Sequence, residues 1–236
     1  RPYLHPEVFA GVREVVRPAG PFRRALDVGC GTGLSSLALL DLAEEVVGAD
    51  AALDMLRHAR REDGVRYVAS GAEALPFREG TFDLVVACGS MDWVDRPRFM
   101  PRAAELARSG GWLVSLDFGD TGRSPEVPGL ARWYDEVFLR TCPRPPASDP
   151  MITADEAGRH GFAAPLHRDF DSACPFTASQ YAAFLMTESS VIAAVEYGRK
   201  TEAEVRAWLE GELAPLFGPE PRRVAFGGYI QALRRF

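Results

Sequence analysis

A glycine-rich turn between an apolar strand and a helix constrains this chain more than any other feature of its sequence. Residues 25–36 read ALDVGCGTGLSS, which places glycines at positions 29, 31 and 33. Glycine reaches backbone dihedral angles that other residues avoid, and it lets a ligand approach the main chain closely. In open α/β sheets such a turn lies at the carboxyl end of a strand, where ligands bind. The segment therefore predicts a ligand-binding turn within an α/β fold.

The spacing of the glycines and one later acid narrow the class of ligand. A dinucleotide fingerprint, GxGxxG, would need its third glycine at position 34, which is Leu34; the chain has GxGxG instead. Asp50 ends the second predicted strand, where a carboxylate can accept hydrogen bonds from both ribose hydroxyls. The ligand is therefore predicted to be a nucleoside with an unmodified ribose.

Strand-like runs alternate with helical apolar patterns between residues 22 and 119, as expected of βαβ units. Later patterns predict helices over 153–160, 177–195 and 201–216, and a strand over 165–170. A last strand over 223–233 is predicted to pair antiparallel at the sheet edge. The fold class is thus α/β: a doubly wound, mostly parallel, seven-stranded, Rossmann-like sheet with a helical insert. The five runs of the first part lie at 24–28, 45–49, 65–69, 82–88 and 111–118.

One domain over 1–236 is expected from a chain of 236 residues. Residues 120–150 interrupt the alternation with six prolines around an amphipathic stretch at 130–139. This pattern predicts an inserted helix between loops, a candidate lid. Residues 171–216 are expected to add helices over the substrate pocket.

Composition limits the partners. The chain carries 27 Lys and Arg against 33 Asp and Glu, a net charge of -6, which disfavours nucleic acid as a partner. No apolar run approaches the roughly 18 residues of a membrane span. Histidines at helical metal-ligand spacing are lacking, so no metal is predicted. A cytoplasmic protein is expected, because the cysteines lack CxxC spacing and the density of a disulfide scaffold; they are Cys30, Cys88, Cys142 and Cys174.

Several segments together resemble one family. Asp27-x-Gly29-x-Gly31-x-Gly33 with Asp50 is similar to the class I S-adenosylmethionine-dependent methyltransferases. The AEALPF segment at 72–77, followed by GTFDLVV at 80–86, resembles the small-molecule branch, methyltransferase type 11 or trans-aconitate methyltransferase-like. Residues 108–112, the opening residues 1–6 and the segment 181–190 also resemble that branch. The resemblance implies transfer of a methyl group from S-adenosylmethionine to an oxygen, nitrogen or carbon atom of a small molecule.

The resemblance also implies a cofactor site. The methionine part would meet the glycine turn above Asp27, and the ribose would meet Asp50. Ala51 and Met55 would line the adenine, and Ala72 and Glu73 would meet its edge. Cys88 and Gly89, just past the fourth strand, would face the reactive sulfonium. The chain departs from many relatives at Gly71, where an Asp would contact the adenine amino group. The implied cofactor contacts are Asp27, Gly29, Cys30, Gly31, Gly33, Asp50, Ala51, Met55, Ala72, Glu73, Cys88 and Gly89.

The methyl acceptor and its activation are less constrained. Relatives often have His-Trp-Phe after the fourth strand, whereas this chain reads MDWV, which makes Asp92 the candidate base or acceptor anchor by position. Its alternative is a helix cap or a solvated loop carboxylate. Trp133 could line the substrate or pack in the core. Substrate contacts are expected from Tyr3, Asp92, Trp93 and Trp133, with His5 and Glu188 as further candidates.

Two functions follow for the chain. The first is methyl transfer, for which positioning alone can supply much of the rate, so that a dedicated base is optional. The second is a protein of the same fold that binds S-adenosylmethionine without methylating, either cyclase-like, decarboxylase-like or regulatory. Oligomeric state, pathway and acceptor atom are left open.

Overall fold

The computed structural model describes residues 2–146, 149–198 and 200–236. Arg1 of the opening segment, Ala147 and Ser148 of the predicted insert, and Arg199 lie outside the described residues. Seven strands form one sheet in the order β3-β2-β1-β4-β5-β7-β6. The strands β1 to β5 pair in parallel. Their bounds are β1 Phe22–Val28, β2 Ala43–Asp50, β3 Val65–Ala69, β4 Phe82–Cys88, β5 Ala107–Arg123, β6 Leu166–Phe176 and β7 Arg222–Arg234.

Helices connect these strands in the alternation that the sequence predicts. A 3-10 turn at Ala72–Ala74 follows β3, and a π-helical turn at Tyr134–Phe138 lies between α5 and α6. The α-helices are α1 His5–Val16, α2 Leu34–Leu39, α3 Leu53–Arg57, α4 Arg96–Leu106, α5 Leu130–Trp133, α6 Leu139–Thr141, α7 Ala154–Arg159, α8 Ala178–Leu185, α9 Ser189–Glu196 and α10 Glu202–Phe217.

The chain divides into two compact units. The sheet unit comprises the described residues of 3–118, 148–170 and 228–236, which include β1 to β4 and the glycine turn. The helical unit comprises the described residues of 1–2, 119–147 and 171–227, which include α5, α6 and α8 to α10. The described residues of the predicted lid thus belong to the helical unit, apart from 149–150. Whether the whole chain acts as one domain with a lid stays a prediction.

The core of the sheet unit surrounds β4, in which six consecutive residues are buried. A central parallel strand is covered on both faces, so its sequence is continuously apolar rather than alternating. Phe82 and Val85 pack with Phe99 of α4, and all three side chains are fully enclosed. This packing fixes the carboxyl ends of β1, β2 and β4 at one edge of the sheet, where the predicted ligand turn lies.

Two sequence predictions need correction. The last strand, β7, was predicted at the sheet edge, but it lies between β5 and β6, so β6 is the edge. The single helix predicted over 177–195 is two helices, α8 and α9. The hydroxyl of Thr187 donates a hydrogen bond to the Phe184 carbonyl (2.8 Å), and such local bonds compete with the regular helical ladder.

Other predicted boundaries were short rather than misplaced. The strand predicted over 165–170 extends to Phe176, and the helix predicted over 130–139 continues to Thr141 through the π turn. Within the described ranges, no helix combines the length and apolar character needed to cross a membrane. The same residues hold no cluster of three His, Cys, Asp or Glu side chains suited to a metal ion.

Candidate functional site

The glycine turn after β1 requires glycine on conformational and steric grounds. Gly29, Gly31 and Gly33 have φ angles of 71°, 53° and 80°, in the left-handed region that other residues rarely adopt. A Cβ atom on Gly33 would lie 2.1 Å from the hydroxyl oxygen of Tyr67, and one on Gly29 would lie 2.5 Å from the Cβ of Ser90. Two of the three glycines are therefore also demanded by close packing inside the protein.

Gly31 differs from the other two, because its surroundings are open. A Cβ there would meet only the methyl carbon of Met55, at 3.4 Å, which is ordinary contact distance. Met55 itself is 45% exposed. Cys30, by contrast, is buried with its sulfur against Gly48 of β2, and burial raises the pKa of its thiol. Cys30 therefore packs the turn onto the sheet, while Gly31 and Met55 face accessible space.

Asp27 is a fully buried carboxylate directly beneath the turn. Its Oδ2 accepts hydrogen bonds from the hydroxyls of Ser35 (2.7 Å) and Ser36 (2.6 Å) at the start of α2. Its Oδ1 has no hydrogen-bond partner among the residues that the structure describes. Burial raises the pKa of Asp27 to about 6, although the two serine hydroxyls oppose this rise. Because buried polar atoms are usually hydrogen-bonded, Oδ1 of Asp27 is available to accept a hydrogen bond from a bound molecule.

Asp50, at the end of β2, already holds the turn. Its Oδ2 accepts a hydrogen bond from the Gly31 N–H (2.7 Å), and its Oδ1 accepts one from the Ala52 N–H (2.7 Å). Each carboxylate oxygen has two lone pairs, so one acceptor position remains on each. Asp50 can therefore position the turn and still receive two ligand hydroxyls.

The residues predicted around adenine lie at the same edge of the sheet with different environments. Ala51 is exposed, and Ala72 packs partly against the core of the sheet unit. Glu73 accepts a hydrogen bond on Oε1 from the Asp95 N–H (2.8 Å), just before α4. The Glu73 side chain therefore ties the turn after β3 to the start of α4.

A crevice lies at the carboxyl end of β4. Gly89 begins it with a φ of 61° and donates its N–H to the Leu116 carbonyl (2.8 Å). The half-buried Cys88 precedes it, and burial raises the pKa of that thiol well above its usual value. Six residues line the crevice: Gly89, Met91, Asp92, Asp117, Pro150 and Tyr229. The neighbouring Trp93 is 86% exposed.

Tyr229 and Asp117 are crevice residues that the sequence analysis missed. The Tyr229 hydroxyl lies 3.4 Å from the Ser115 hydroxyl. Burial raises the pKa of Tyr229, and the carboxylates of Asp117 and Asp92 raise it further. Asp117 carried a usable signal, since it is an acid near the end of a predicted strand. No local sequence pattern marks Tyr229 as a crevice residue, because the pairing order of the strands brings β7 to the crevice.

The N-terminal candidates lie beside the glycine turn. The Tyr3 hydroxyl donates to the Leu34 carbonyl (3.4 Å), and the Tyr3 ring packs against His5. Burial lowers the pKa of His5 to about 4, which keeps the imidazole neutral above that pH. Its ring meets Phe118 edge-on, with 5.2 Å between centroids. Tyr3 thus contacts the first residue of α2, whereas His5 packs between two aromatic rings.

Of the predicted site residues in the helical unit, one packs in the core and another lines a cavity. Trp133 is buried, stacks on Phe138 with ring centroids 5.7 Å apart, and donates its indole N–H to Glu212 (2.9 Å). Trp133 therefore packs in the core, which was the alternative interpretation from the sequence. Its neighbour Tyr134 and the candidate Glu188 instead line an open cavity within the helical unit.

One segment of the chain matches a known protein family. Residues 26–115 match the family model described as "Methyltransferase domain". The match includes the glycine turn, Asp50 and the crevice residues Gly89 and Asp92. It stops before the predicted lid and the helical unit.

Curated relatives match about half of the chain. The demethylmenaquinone methyltransferase of Corynebacterium urealyticum is 33% identical over 124 residues, which cover 52% of this chain and 52% of that protein. The demethylmenaquinone methyltransferase of Clavibacter sepedonicus is 34% identical over 139 residues, covering 57% and 54%. The chain thus spans about half the length of the curated relatives it matches.

Solved structures match almost the whole chain. A protein from Anaeromyxobacter dehalogenans, provisionally assigned as a type II methyltransferase, superposes with a TM-score of 0.76 and 26% identity over 97% of this chain and 95% of that one. Geranyl diphosphate methyltransferase, solved with S-adenosylmethionine, superposes with a TM-score of 0.54 over 98% and 85%, at 15% identity. The second likeness concerns the fold alone.

Proposed function

We propose that this chain, whose residues 26–115 form a methyltransferase domain, transfers the methyl group of S-adenosylmethionine to a small molecule. The family match agrees with the resemblance found in the sequence. The observation that carries the proposal is the turn at 29–33, which combines three glycines of positive φ with Asp27 below it and Asp50 beside it.

The residues around the turn fit this cofactor. The unpartnered Oδ1 of Asp27 suits the cationic α-amino group, reached directly or through one water. The remaining lone pairs of Asp50 suit the two ribose hydroxyls. Met55 offers an exposed apolar side chain to the adenine, beside the open surroundings of Gly31. When bound, the cofactor supplies an electrophilic methyl group on a sulfonium.

The acceptor end of the site would be the crevice after β4. Gly89 leaves the end of β4 without a side chain, and its N–H is held by the Leu116 carbonyl. Asp92 and Tyr229 line the same crevice, so both can orient an acceptor, and the Asp92 carboxylate can receive its proton. Orientation of the two reactants can contribute an effective molarity of about 10⁵ M or more. We therefore assign Asp92 a role in orienting or deprotonating the acceptor.

The substrate class that we propose for this chain is broader than the substrate named for its curated relatives. The curated relatives are named for demethylmenaquinone, but the alignments cover only about half of this chain and about half of each relative. We propose a small molecule as acceptor and a cytoplasmic site of action. The net charge of -6 supports this choice over nucleic acid, because a polyanion would be repelled.

Calorimetric titration with S-adenosylmethionine and S-adenosylhomocysteine tests the cofactor site. Both should bind, and Asp50→Ala should weaken binding by about 1 to 3 kcal/mol, roughly 5- to 150-fold. Asp54→Ala is the matched control, since the Asp54 carboxylate is exposed and pairs with Arg57 rather than with the turn. A folded protein that binds neither ligand would overturn the proposal.

Product analysis then separates methyl transfer from binding without transfer. Asp92→Asn should lower the rate of methylation while the affinity for S-adenosylmethionine stays unchanged. An undiminished rate would remove Asp92 from the mechanism. Binding of the cofactor with no methylated product across oxygen, nitrogen and carbon acceptors would instead favour the non-methylating alternative.

A further inference from the structure

The crevice at the carboxyl end of β4 lies directly beside the glycine turn. Ser90 stands between the crevice residues Gly89 and Met91, and its hydroxyl donates a hydrogen bond to the Val28 carbonyl (2.7 Å) at the end of β1. A Cβ on Gly29 would lie 2.5 Å from the Cβ of Ser90, so the turn and the loop after β4 are in close contact. A group held in the crevice therefore lies next to the turn on which the proposed cofactor site depends.

One wall of the crevice is fixed by hydrogen bonds from two other elements. This wall is the segment 149–152, which contributes Pro150 to the lining. The Arg96 guanidinium, at the start of α4, donates to two backbone carbonyls of the segment, at 2.7 and 3.3 Å. The buried side chain of Gln231, on β7, exchanges two hydrogen bonds with the backbone of Ile152, of 2.9 and 3.2 Å. The crevice is therefore a preformed feature of the sheet unit.

Asp92 supplies the crevice with a hydrogen-bond acceptor. The residue is exposed and lines the crevice. Within the described part of the chain, its carboxylate accepts no hydrogen bond and forms no ion pair. An ionised carboxylate is only an acceptor, and it can take up a proton. Asp92 therefore favours a bound group that carries a proton.

Tyr229 supplies the same crevice with a hydrogen-bond donor. Burial raises the pKa of its hydroxyl, and the Asp117 and Asp92 carboxylates raise it further, so the hydroxyl keeps its proton. The fully buried Ser115 hydroxyl lies 3.4 Å away, which is long for a bond between two hydroxyls. Ser115 can donate to the Tyr229 oxygen in this contact, which leaves the Tyr229 proton for a group in the crevice. Tyr229 therefore offers a neutral O–H to a bound acceptor.

Together, Asp92 and Tyr229 restrict which atom can accept the methyl group. That atom has to donate its proton to Asp92, accept a hydrogen bond from Tyr229 and keep one lone pair for the methyl carbon. A hydroxyl oxygen can do all three, because it has one proton and two lone pairs. An amine nitrogen has one lone pair, so the bond from Tyr229 would occupy the pair that has to attack. A carbon atom has no lone pair to accept that bond, a thiol sulfur accepts it weakly, and a carboxylate carries no proton.

We infer that the crevice holds the hydroxyl group of the methyl acceptor between Tyr229 and Asp92, so that the reaction is the O-methylation of an alcohol or phenol. This inference rests on the proposed function and deepens it. In the transfer, a bond forms between the hydroxyl oxygen and the methyl carbon while the carbon–sulfur bond of the sulfonium breaks. The hydroxyl proton passes to the Asp92 carboxylate, and the products are a methyl ether and S-adenosylhomocysteine.

Three probes that carry different polar groups on the same ring test the inference by binding. Benzyl alcohol, benzylamine and benzoate are each titrated into the whole chain saturated with S-adenosylhomocysteine, and binding is followed by ligand-observed NMR. At about pH 7.5 the amine is protonated and the carboxylic acid is ionised. Benzyl alcohol should bind at least about fivefold more tightly than either other probe, since only its hydroxyl can bond to both residues. A preference for benzylamine or benzoate, or binding of none of the three, would overturn the inference.

Two variants locate the hydroxyl in the crevice. Toluene has the ring without the hydroxyl, so the ratio of benzyl alcohol affinity to toluene affinity isolates the polar contacts. Tyr229→Phe and Asp92→Ala should each lower this ratio by about 3- to 10-fold, because each removes one hydrogen bond. Tyr197→Phe and Asp63→Ala, at exposed residues outside the crevice, should leave it unchanged. Equal weakening of both probes in the crevice variants, as a merely structural role would produce, would overturn the inference.

The methylated product distinguishes this inference from the proposed function. The chain is incubated with alcohols, amines and carboxylic acids of matched skeleton and with S-adenosylmethionine isotopically labelled in its methyl carbon. NMR of the labelled carbon then shows whether it is bonded to oxygen, nitrogen or carbon, and a methyl ether is expected. An N-methyl, C-methyl or methyl ester product would overturn this inference and leave methyl transfer in place. Binding of S-adenosylmethionine with no methylated product would overturn methyl transfer itself, and the inference with it.

Discussion

Two buried aspartates, one in each unit, have similar environments, but the residues that donate hydrogen bonds to them lie at very different distances along the chain. Asp27 and Asp120 are both enclosed, both accept hydroxyl hydrogen bonds, and burial raises the pKa of each to about 6. The donors to Asp27 are Ser35 and Ser36, in the helix that follows its strand. The donor to Asp120 is Tyr181, which is 61 residues away.

The two aspartates also differ in how many of their carboxylate oxygens accept a hydrogen bond. Asp27 has one oxygen without a partner among the described residues, beneath a glycine turn that the protein's own packing enforces. Asp120 has both oxygens bonded and lines an open cavity. A motif of short sequence span can thus be recognised without a structure, whereas a carboxylate that depends on a remote tyrosine cannot.

The largest effect is expected from adding one methyl group to the glycine turn. Gly33→Ala should lower the free energy of unfolding by about 3 to 5 kcal/mol. The alanine would be strained in the left-handed backbone conformation, and its Cβ would overlap with the Tyr67 side chain. Gly129→Ala in the helical unit is the control: its φ is 90°, but nothing lies within 4 Å of the added carbon. Strain alone should cost about 1 to 2 kcal/mol there. Urea denaturation of both variants measures the difference, and equal losses would refute the packing argument.

The pH dependence of stability distinguishes the two aspartates from ordinary surface acids. A folded-state pKa of about 6, raised from 3.8, means that the stability contribution is present below about pH 4 and is lost as the pH rises through about 6. Asp27→Asn should remove this loss, worth about 2 to 3 kcal/mol. Asp120→Asn should act likewise. Denaturation between about pH 4 and pH 7.5 tests both, and an unchanged slope in Asp27→Asn would mean that this group is not titrating there.

The smallest effect concerns the hydroxyl that holds Asp120. Tyr181→Phe keeps the ring packing but removes the donor to the carboxylate, and should lower the free energy of unfolding by about 1 to 2 kcal/mol. Tyr134→Phe removes a hydroxyl whose contact with Arg144 is longer, at 3.4 Å. Its cost should stay below about 0.5 kcal/mol. Thermal denaturation compares the two variants, and a larger loss for Tyr134→Phe would reverse the assignment of Tyr181 as the main support.

Much of the sheet unit could be predicted from the sequence. The predicted strand over 82–88 coincides with β4, the glycine turn lies where expected, and Asp50 ends β2. The predicted α/β fold class and the family resemblance are both confirmed. These features follow from hydrophobic periodicity and from a motif whose parts are close along the chain.

The predictions for the later part of the chain were less complete. The sheet position of β7 was wrong, because strand order depends on how β5, β6 and β7 pair and not on local pattern. Asp117 and Tyr229 join Asp92 only because two distant strands bring them to one crevice. The predicted cofactor contacts and substrate residues stay predictions that the proposed titrations test.

The sequence alone determined the alternation of strands and helices, the turn at 29–33 and the acids that accompany it, because these rest on local dihedral preference and on contacts between chain neighbours. The tertiary structure decided which face of each element meets which other. It buried Trp133, exposed Trp93 and joined Asp120 to Tyr181. Contacts between residues far apart in the chain leave no periodic trace in the sequence, since they depend on the packing of whole elements.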